Sequence, residues 1–321
     1  MAILNLNKPI ITSRGILGDL RRQIQMDTGE EYLGSITALF QSNQEIETYP
    51  WLSQSPVMRE WVGGRNPVAL TEDSLEIKST LYEASMIIPY SSWVKRDKTG
   101  QIQLRISQLA EKTTSHWAKL VSTQILNGAS TTCYDGQYFY STSHSEGSSG
   151  TQSNLTTSAA ATGTQPTSGE FADALLTATQ AIIGFKDDKG EPMQPGLRSF
   201  TVMVPVIFMA PAAAALGATN IIYTAGAGAA TNPVSAVVSY GGFIYKLVVN
   251  PRLTWTDRFV LFANNPLLPS IVRQEENGIE YSAIAEGSEM EVMNDQWFFG
   301  VSSIRGVKLA MWQSSCMHYF T

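Results

Sequence analysis

Cys133, Asp135 and His144 are of the types that build a hydrolytic site: a thiol nucleophile, an orienting carboxylate and an imidazole base. Closeness in sequence is a poor guide, because such partners meet in space rather than along the chain. The stretch Cys133-Tyr134-Asp135-Gly136 also reads as an Asp-Gly turn between apolar strands. His116 and His318 complete the histidines, and no pair has the i, i+4 spacing of a helical metal site. Cys133 and Cys316 are too few for a disulfide framework or a cysteine-rich zinc site. Gly226-Ala227-Gly228 lacks the Gly-Lys-Ser/Thr ending of a phosphate loop. Asp187-Asp188-Lys189-Gly190-Glu191 lacks the alternating oxygen ligands of a calcium loop and reads as a solvated turn. The expectation is a protein with no catalytic residue, no cofactor and no metal. The contrary reading, a cysteine hydrolase, predicts a reactive thiol at Cys133.

Charge is unevenly spread. Residues 95–119 hold six bases (Lys95, Arg96, Lys98, Arg105, Lys112, Lys119) and two acids (Asp97, Glu111). Residues 273–297 hold seven acids (Glu275, Glu276, Glu280, Glu286, Glu289, Glu291, Asp295) against one base, Arg273. Two readings stand: complementary contact between neighbouring copies, or a pair of solvated faces. The net charge of −6 over 321 residues argues against a dedicated nucleic-acid reader, which is normally basic. Only 16% of residues are charged, against roughly 25% in an average soluble domain. Either much of the surface faces other subunits, or it is built from Ser, Thr, Asn and Gln.

A hydrophobic fraction of 43% supports a sizeable core and excludes wholesale disorder. The opening MAILNLNKPI is too short and polar for a signal peptide. The most apolar stretch, 200–216, is broken by Thr201, Pro205 and Pro211, so no membrane span is expected. The chain reads as soluble and made in the cytosol.

The first 50 residues look like an extended arm with one or two helices, one of them following Ser13 and carrying Ile16, Leu17, Leu20 and Ile24 at helical spacing. With so few apolar residues the arm is expected to pack on something else. Residues 66–94 read as a two-stranded excursion, with turn residues at Asn66-Pro67 and Asp73-Ser74. Residues 101–127, between Gly100 and Gly128, predict one helix of roughly 40 Å at about 1.5 Å per residue. The Ser/Thr/Gly/Ala tract 141–169 reads as a flexible loop or linker. A helix then follows Thr167 and Glu170, which stand at capping-box spacing. A strand over 200–206, a short Ala-rich helix over 210–216, and strands near 243–249, 259–262, 281–284, 297–301 and 307–311 complete an α+β pattern.

Several segments together resemble the major head (capsid) subunit family of Mu-like phages. They are Met58-Arg59-Glu60-Trp61-Val62-Gly63-Gly64-Arg65, then Leu81-Tyr82-Glu83, and the run from Cys133 through Tyr134, Asp135, Gly136, Gln137, Tyr138, Phe139 and Tyr140 to His144. Ser153-Asn154-Leu155 and Asn250-Pro251-Arg252-Leu253 follow in the same order. The resemblance implies the Hong Kong 97-type capsid fold: an N-terminal arm over 1–50 and an extended E-loop region over 51–88. It also implies a peripheral (P) domain with a long spine helix over 89–167 and 266–321, and an axial (A) domain over 168–265. The implied function is self-assembly of hexamers and pentamers into an icosahedral shell, in the virion, enclosing double-stranded DNA without sequence specificity. Implied partners are scaffolding, portal and decoration proteins, with no membrane and with assembly in the host cytoplasm. No long charged helical segment precedes the arm, and Met1 favours a separate scaffold over a processed chain. Candidate contacts between copies are Arg59, Glu60, Arg65, Lys78, Lys112, Lys119, Glu289 and Glu291. The runner-up is another self-assembling structural protein, such as a tail-tube or surface-layer subunit.

Overall fold

The computed structural model describes residues 12–26, 30–49, 75–94, 99–222 and 230–321. In chain order the first elements are α1 (Ser13–Met26), α2 (Leu33–Ile36), β1 (Thr37–Gln41), β2 (Ile46–Tyr49), β3 (Leu75–Lys78), β4 (Thr80–Pro89), α3 (Thr99–Thr114) and α4 (His116–Leu126). Next come β5 (Leu155–Ser158), α5 (Ser168–Gly184), β6 (Ser199–Val204), α6 (Met209–Gly217), β7 (Asn220–Ile221), β8 (Ala230–Thr231) and α7 (Pro233–Gly241). The last are β9 (Ile244–Val249), β10 (Arg258–Ala263), β11 (Ile271–Glu275), β12 (Glu280–Ile284), α8 (Glu289–Asn294), β13 (Gln296–Leu309) and β14 (Ser315–Phe320).

Two five-stranded sheets organise these elements. The first is built on β13, a strand of 14 residues that the sequence had presented as two. Arg305 pairs with Thr80 of β4 and also with Glu275 of β11. A strand has two edges, so β4 runs along one while β11 and β12 follow each other along the other. β1 lies parallel to β11 on its far side. At Gly306 β3 crosses so closely that an added Cβ would stand 2.9 Å from Ile77 Cγ2 and 3.0 Å from the Lys78 carbonyl.

The second sheet has the order β5-β14-β10-β6-β9. Its central strands β6 and β10 are apolar almost throughout and buried from their second residue onward, the mark of a sheet covered on both faces. Helix α5 packs on it through Phe171, Leu175, Ala178 and Ile182, and its first turn closes as the expected capping box. Thr167 Oγ1 accepts from the Glu170 amide at 3.3 Å, and a Glu170 carboxylate oxygen accepts from the Thr167 amide at 2.7 Å. A separate apolar cluster joins α1 (Ile16, Leu20, Ile24), α3 (Ile102, Ile106, Ala110) and the first sheet (Ile88, Trp297, Phe299).

Three expectations are corrected. The helix 101–127 is two helices meeting at Ser115, although backbone hydrogen bonds run on through the junction (Ser115 to Glu111, Lys119 to Ser115). Thr113 and Thr114 return their hydroxyls to the carbonyls of Leu109 and Ala110, and Arg305 donates to the Thr113 carbonyl at 3.3 Å. Hydroxyls bonded back to the preceding turn and a side chain inserted beside the helical ladder are established causes of a bend. The two-stranded excursion does not lie within 66–94: β3 pairs backwards with β2, and β4 joins β13. Residues 80–88, read as part of the E-loop region, thus belong to the subunit's own first sheet. As expected, the arm helix α1 finds its packing outside the arm, chiefly on α3. Finally, 141–169 is a folded segment whose strand β5 joins β14. β5 and β14 therefore share a sheet with β6, β9 and β10, and the boundaries expected at 168 and 265 do not follow the sheets. Short strands advertise their burial in sequence, but not their neighbour.

Candidate assembly surface

The quoted motifs become legible as parts of a clasp between residues 131–154 and the chain's C-terminal segment. Asp135 Oδ1 accepts the Gln137 amide at 3.1 Å, and Gly136 takes φ +80, a left-handed geometry that glycine adopts without cost. Cys133 and Gln137 close this turn by a backbone bond of 2.7 Å. Asp135 also holds His144 Nδ1 at 2.5 Å, and His144 stacks on Trp312 with centroids 4.1 Å apart. Asn154 donates to the carbonyls of Phe139 (2.6 Å) and Trp312 (3.3 Å), and Tyr140 bonds Ser315 at 2.9 Å. Glu146 accepts from Tyr134, from Gln313 Nε2 at 2.9 Å and from Trp312 Nε1 at 3.3 Å. Burial raises the Glu146 carboxyl above its usual range despite these three donors. The 250–253 motif is a second tie: Asn250 Nδ2 donates to Ser122 Oγ of α4 at 2.9 Å, its Oδ1 accepts the Arg252 amide, and Arg252 pairs with Glu30 at 2.5 Å.

The hydrolase constellation is therefore half assembled. The Asp135–His144 pair exists, but Cys133 Sγ donates to the Ala310 carbonyl at 3.5 Å. Burial, aided by the Asp135 charge, pushes the thiol up to about 12, away from the thiolate that a nucleophile needs. His318 is equally structural: it is wholly buried, with Thr156 Oγ1 and Ser158 Oγ each 2.8 Å from its ring nitrogens.

Burial lowers the His318 pKa to about 4, and likewise that of His116, where Arg305 and Lys119 add to the effect. Between the unfolded value of about 6.5 and the folded value, the unfolded chain binds protons that the folded chain refuses, so stability rises with pH there. The chain should lose stability as pH falls from 6.5 towards 4, by at most about 3 kcal/mol for His318. Urea midpoints at pH 7 and pH 5 check this, and His318→Asn should flatten the slope.

The charged segments are more occupied within the chain than their composition implies. Glu275 lies 3.6 Å from Arg305 Nε, Glu286 accepts from the Ser13 amide at 2.8 Å and from its hydroxyl, and Asp295 accepts from the Ser91 amide and hydroxyl. Glu291 accepts the Gly287 amide at 2.6 Å while Ser288 caps α8, a local role for a residue read as a contact candidate. Glu289 is exposed in the first turn of α8. Lys112 and Lys119 are exposed on α3 and α4 and make no ion pair among the described residues. Lys78 is exposed and 3.7 Å from Glu45 of its own chain. Arg59, Glu60 and Arg65 lie outside the described residues, as do residues 95–98 of the basic segment.

Composition had not located the exposed apolar side chains that the fold brings out. Val206 and Ile207 in the turn before α6, Met209 at its start, Tyr240 of α7 and Ile244 of β9 are each at least 43% exposed, and Tyr240 is 93% exposed. α6 contacts both α7 and β9, so these elements are neighbours. The first sheet carries a second apolar row, where Ile87, Phe298 and Ile284 pair across three strands, with Ile87 and Ile284 about half exposed. Soluble monomers seldom leave such surface uncovered unless it binds something.

This architecture is the Hong Kong 97-type capsid fold. The asymmetric unit of the bacteriophage PhiM1 mature capsid matches with a TM-score of 0.57 at 10% identity, covering 100% of this chain and 92% of that one. The bacteriophage JBD30 procapsid matches with a TM-score of 0.54 at 17% identity, covering 97% of this chain and 77% of that one. The family described as Mu-like prophage major head subunit gpT matches over residues 23–167, from the arm helix through the spine helix to the capping threonine of α5. The Mu-like prophage FluMu major head subunit of Haemophilus influenzae is 30% identical over 112 residues, which are 35% of this chain and 36% of that protein. The chain thus spans about a third of the length of that relative. These findings bear out the resemblance read from the sequence.

Proposed function

We propose that the chain is the major head subunit of a Mu-like phage particle, self-assembling into a closed shell around double-stranded DNA. The observation that carries this reading is the family match over 23–167, which falls on α3 and α4, on β1 and β4 of the first sheet and on the β2–β3 pair. Such a shell needs no catalytic group; it needs large surfaces that repeat by symmetry. The exposed apolar elements α6, α7 and β9 supply one such surface, around the axes of hexamers and pentamers. The exposed Lys112, Lys119 and Glu289, with Lys78, Arg59, Glu60 and Arg65, supply polar contacts at its margins. Scaffolding, portal and decoration proteins are the partners this role requires, with assembly in the host cytoplasm. Packaged DNA is held by charge and counterions without base reading.

The β2–β3 pair gives a direct test. Tyr49 stands opposite Leu75 in the ladder, so replacing residues 50–74 by an Asn-Gly turn closes the hairpin without disturbing its register. Light scattering of the unaltered chain should show particles far heavier than the 35.1 kDa subunit. The shortened chain should keep its circular dichroism and remain a subunit. Shells of normal size from the shortened chain would show that 50–74 is not part of the contact.

A further inference from the structure

Between the bent helix and the strands β4 and β13 lies a cavity of about 230 Å3, lined among others by Lys112, Lys119, Arg305, His116, Tyr82 and Glu83. Its floor is fixed. The Arg305 side chain is 3% exposed, and its Nη1 donates to the Thr113 carbonyl and to His116 Nδ1 at 3.3 Å each. A guanidinium only donates, so Nδ1 is the acceptor and the neutral ring carries its proton on Nε2. Tyr82 meets the His116 ring edge-on at 4.5 Å. Arg305 Nε is buried without a hydrogen-bond partner, its nearest acid being Glu275 at 3.6 Å. Above this floor stand Lys112 and Lys119, two helical turns apart on one face. The lining therefore combines three cations with one carboxylate, that of Glu83.

We infer that this cavity is an oxyanion site that receives a single carboxylate presented by a second copy of the chain. Resting on the shell reading, this adds the site where one acidic contact is seated. Ammonium donors and an imidazole N–H suit a carboxylate, for which charge-assisted bonds are about twice as strong as neutral ones. A duplex presents one charge per ~1.7 Å, which calls for a ribbon of cations, and Glu83 in the lining repels the succeeding phosphates. The chain itself supplies the ligand chemistry: its net charge is −6, and Glu276, Glu280 and Glu289 have no ion pair among the described residues.

The test compares the unaltered chain with Lys112→Gln/Lys119→Gln and Lys112→Arg/Lys119→Arg, with unchanged melting confirming that all three fold. Losing the charges should raise the protein concentration needed for assembly by about tenfold or more, and the arginine pair should restore it. Sodium acetate in place of sodium chloride at equal ionic strength should hinder assembly of the unaltered chain and not of the glutamine pair, because the free carboxylate competes for the cavity while screening stays constant. Glutamine-pair assembly at the unaltered concentration, or identical behaviour in the two salts, would overturn the inference. So would empty shells that form normally and lose only nuclease-protected DNA, which would assign the site to phosphate. An unaltered chain that never assembles would instead remove the shell reading, and this inference with it.

Discussion

Replacing Arg305 by leucine should destabilise the subunit by about 3–5 kcal/mol, the cost of removing one partner from a buried ion pair. Four groups depend on this guanidinium. It lies 3.6 Å from the Glu275 carboxylate, donates to Thr113 and His116, and sits 4.7 Å over the Trp117 ring. Leucine restores much of the volume and none of the donors, so Glu275 would be left largely buried without its counter-charge. The loss should fall on the joint between spine helix and first sheet, because Arg305 of β13 bonds to Thr113 and His116 on either side of Ser115. Urea unfolding read by Trp fluorescence measures it. A midpoint change worth less than about 1 kcal/mol would mean that solvent already satisfies the pair.

Trp312→Ala is expected to have a comparable effect at the other sheet, about 3–5 kcal/mol for emptying a buried tryptophan site. Trp312 is fully buried, stacks on His144 at 4.1 Å, meets Phe185 edge-on at 5.1 Å and donates to Glu146 at 3.3 Å. Trp312→Phe separates the contributions: it keeps most of the packing and removes the Nε1 donor, for about 1–3 kcal/mol. Equal losses for the two substitutions would show that the hydrogen bond to Glu146, rather than packing, holds the clasp.

The sequence was most informative where a signal is local. The α1 stripe, the Thr167–Glu170 box and the Asp135-Gly136 turn were all readable, because each depends on neighbours within a few residues. The bend at Ser115 was hidden, since the apolar spacing runs through it and its cause includes Arg305, 190 residues later in the chain. The pairing of β5 with β14 was equally invisible, as Leu155-Thr156-Thr157-Ser158 looks like linker until Met317 and Tyr319 lie beside it. The charged segments were read correctly as composition and incompletely as surface: Glu275, Glu286, Glu291 and Asp295 serve their own chain, while Lys112 and Lys119 are exposed and make no ion pair among the described residues. The motifs carrying the family resemblance serve chiefly as ties within the fold. Tyr134, His144 and Asn154 hold a loop to the turn that precedes β14, and Asn250 holds a turn to α4.

Electron microscopy of the purified 321-residue chain in negative stain, over a range of protein and salt concentrations, tests the central claim most directly. The account predicts closed shells, or five- and six-membered rings with α6, α7 and β9 around the axis. Single 35.1 kDa subunits at every concentration and salt, or open tubes without ring symmetry, would contradict it.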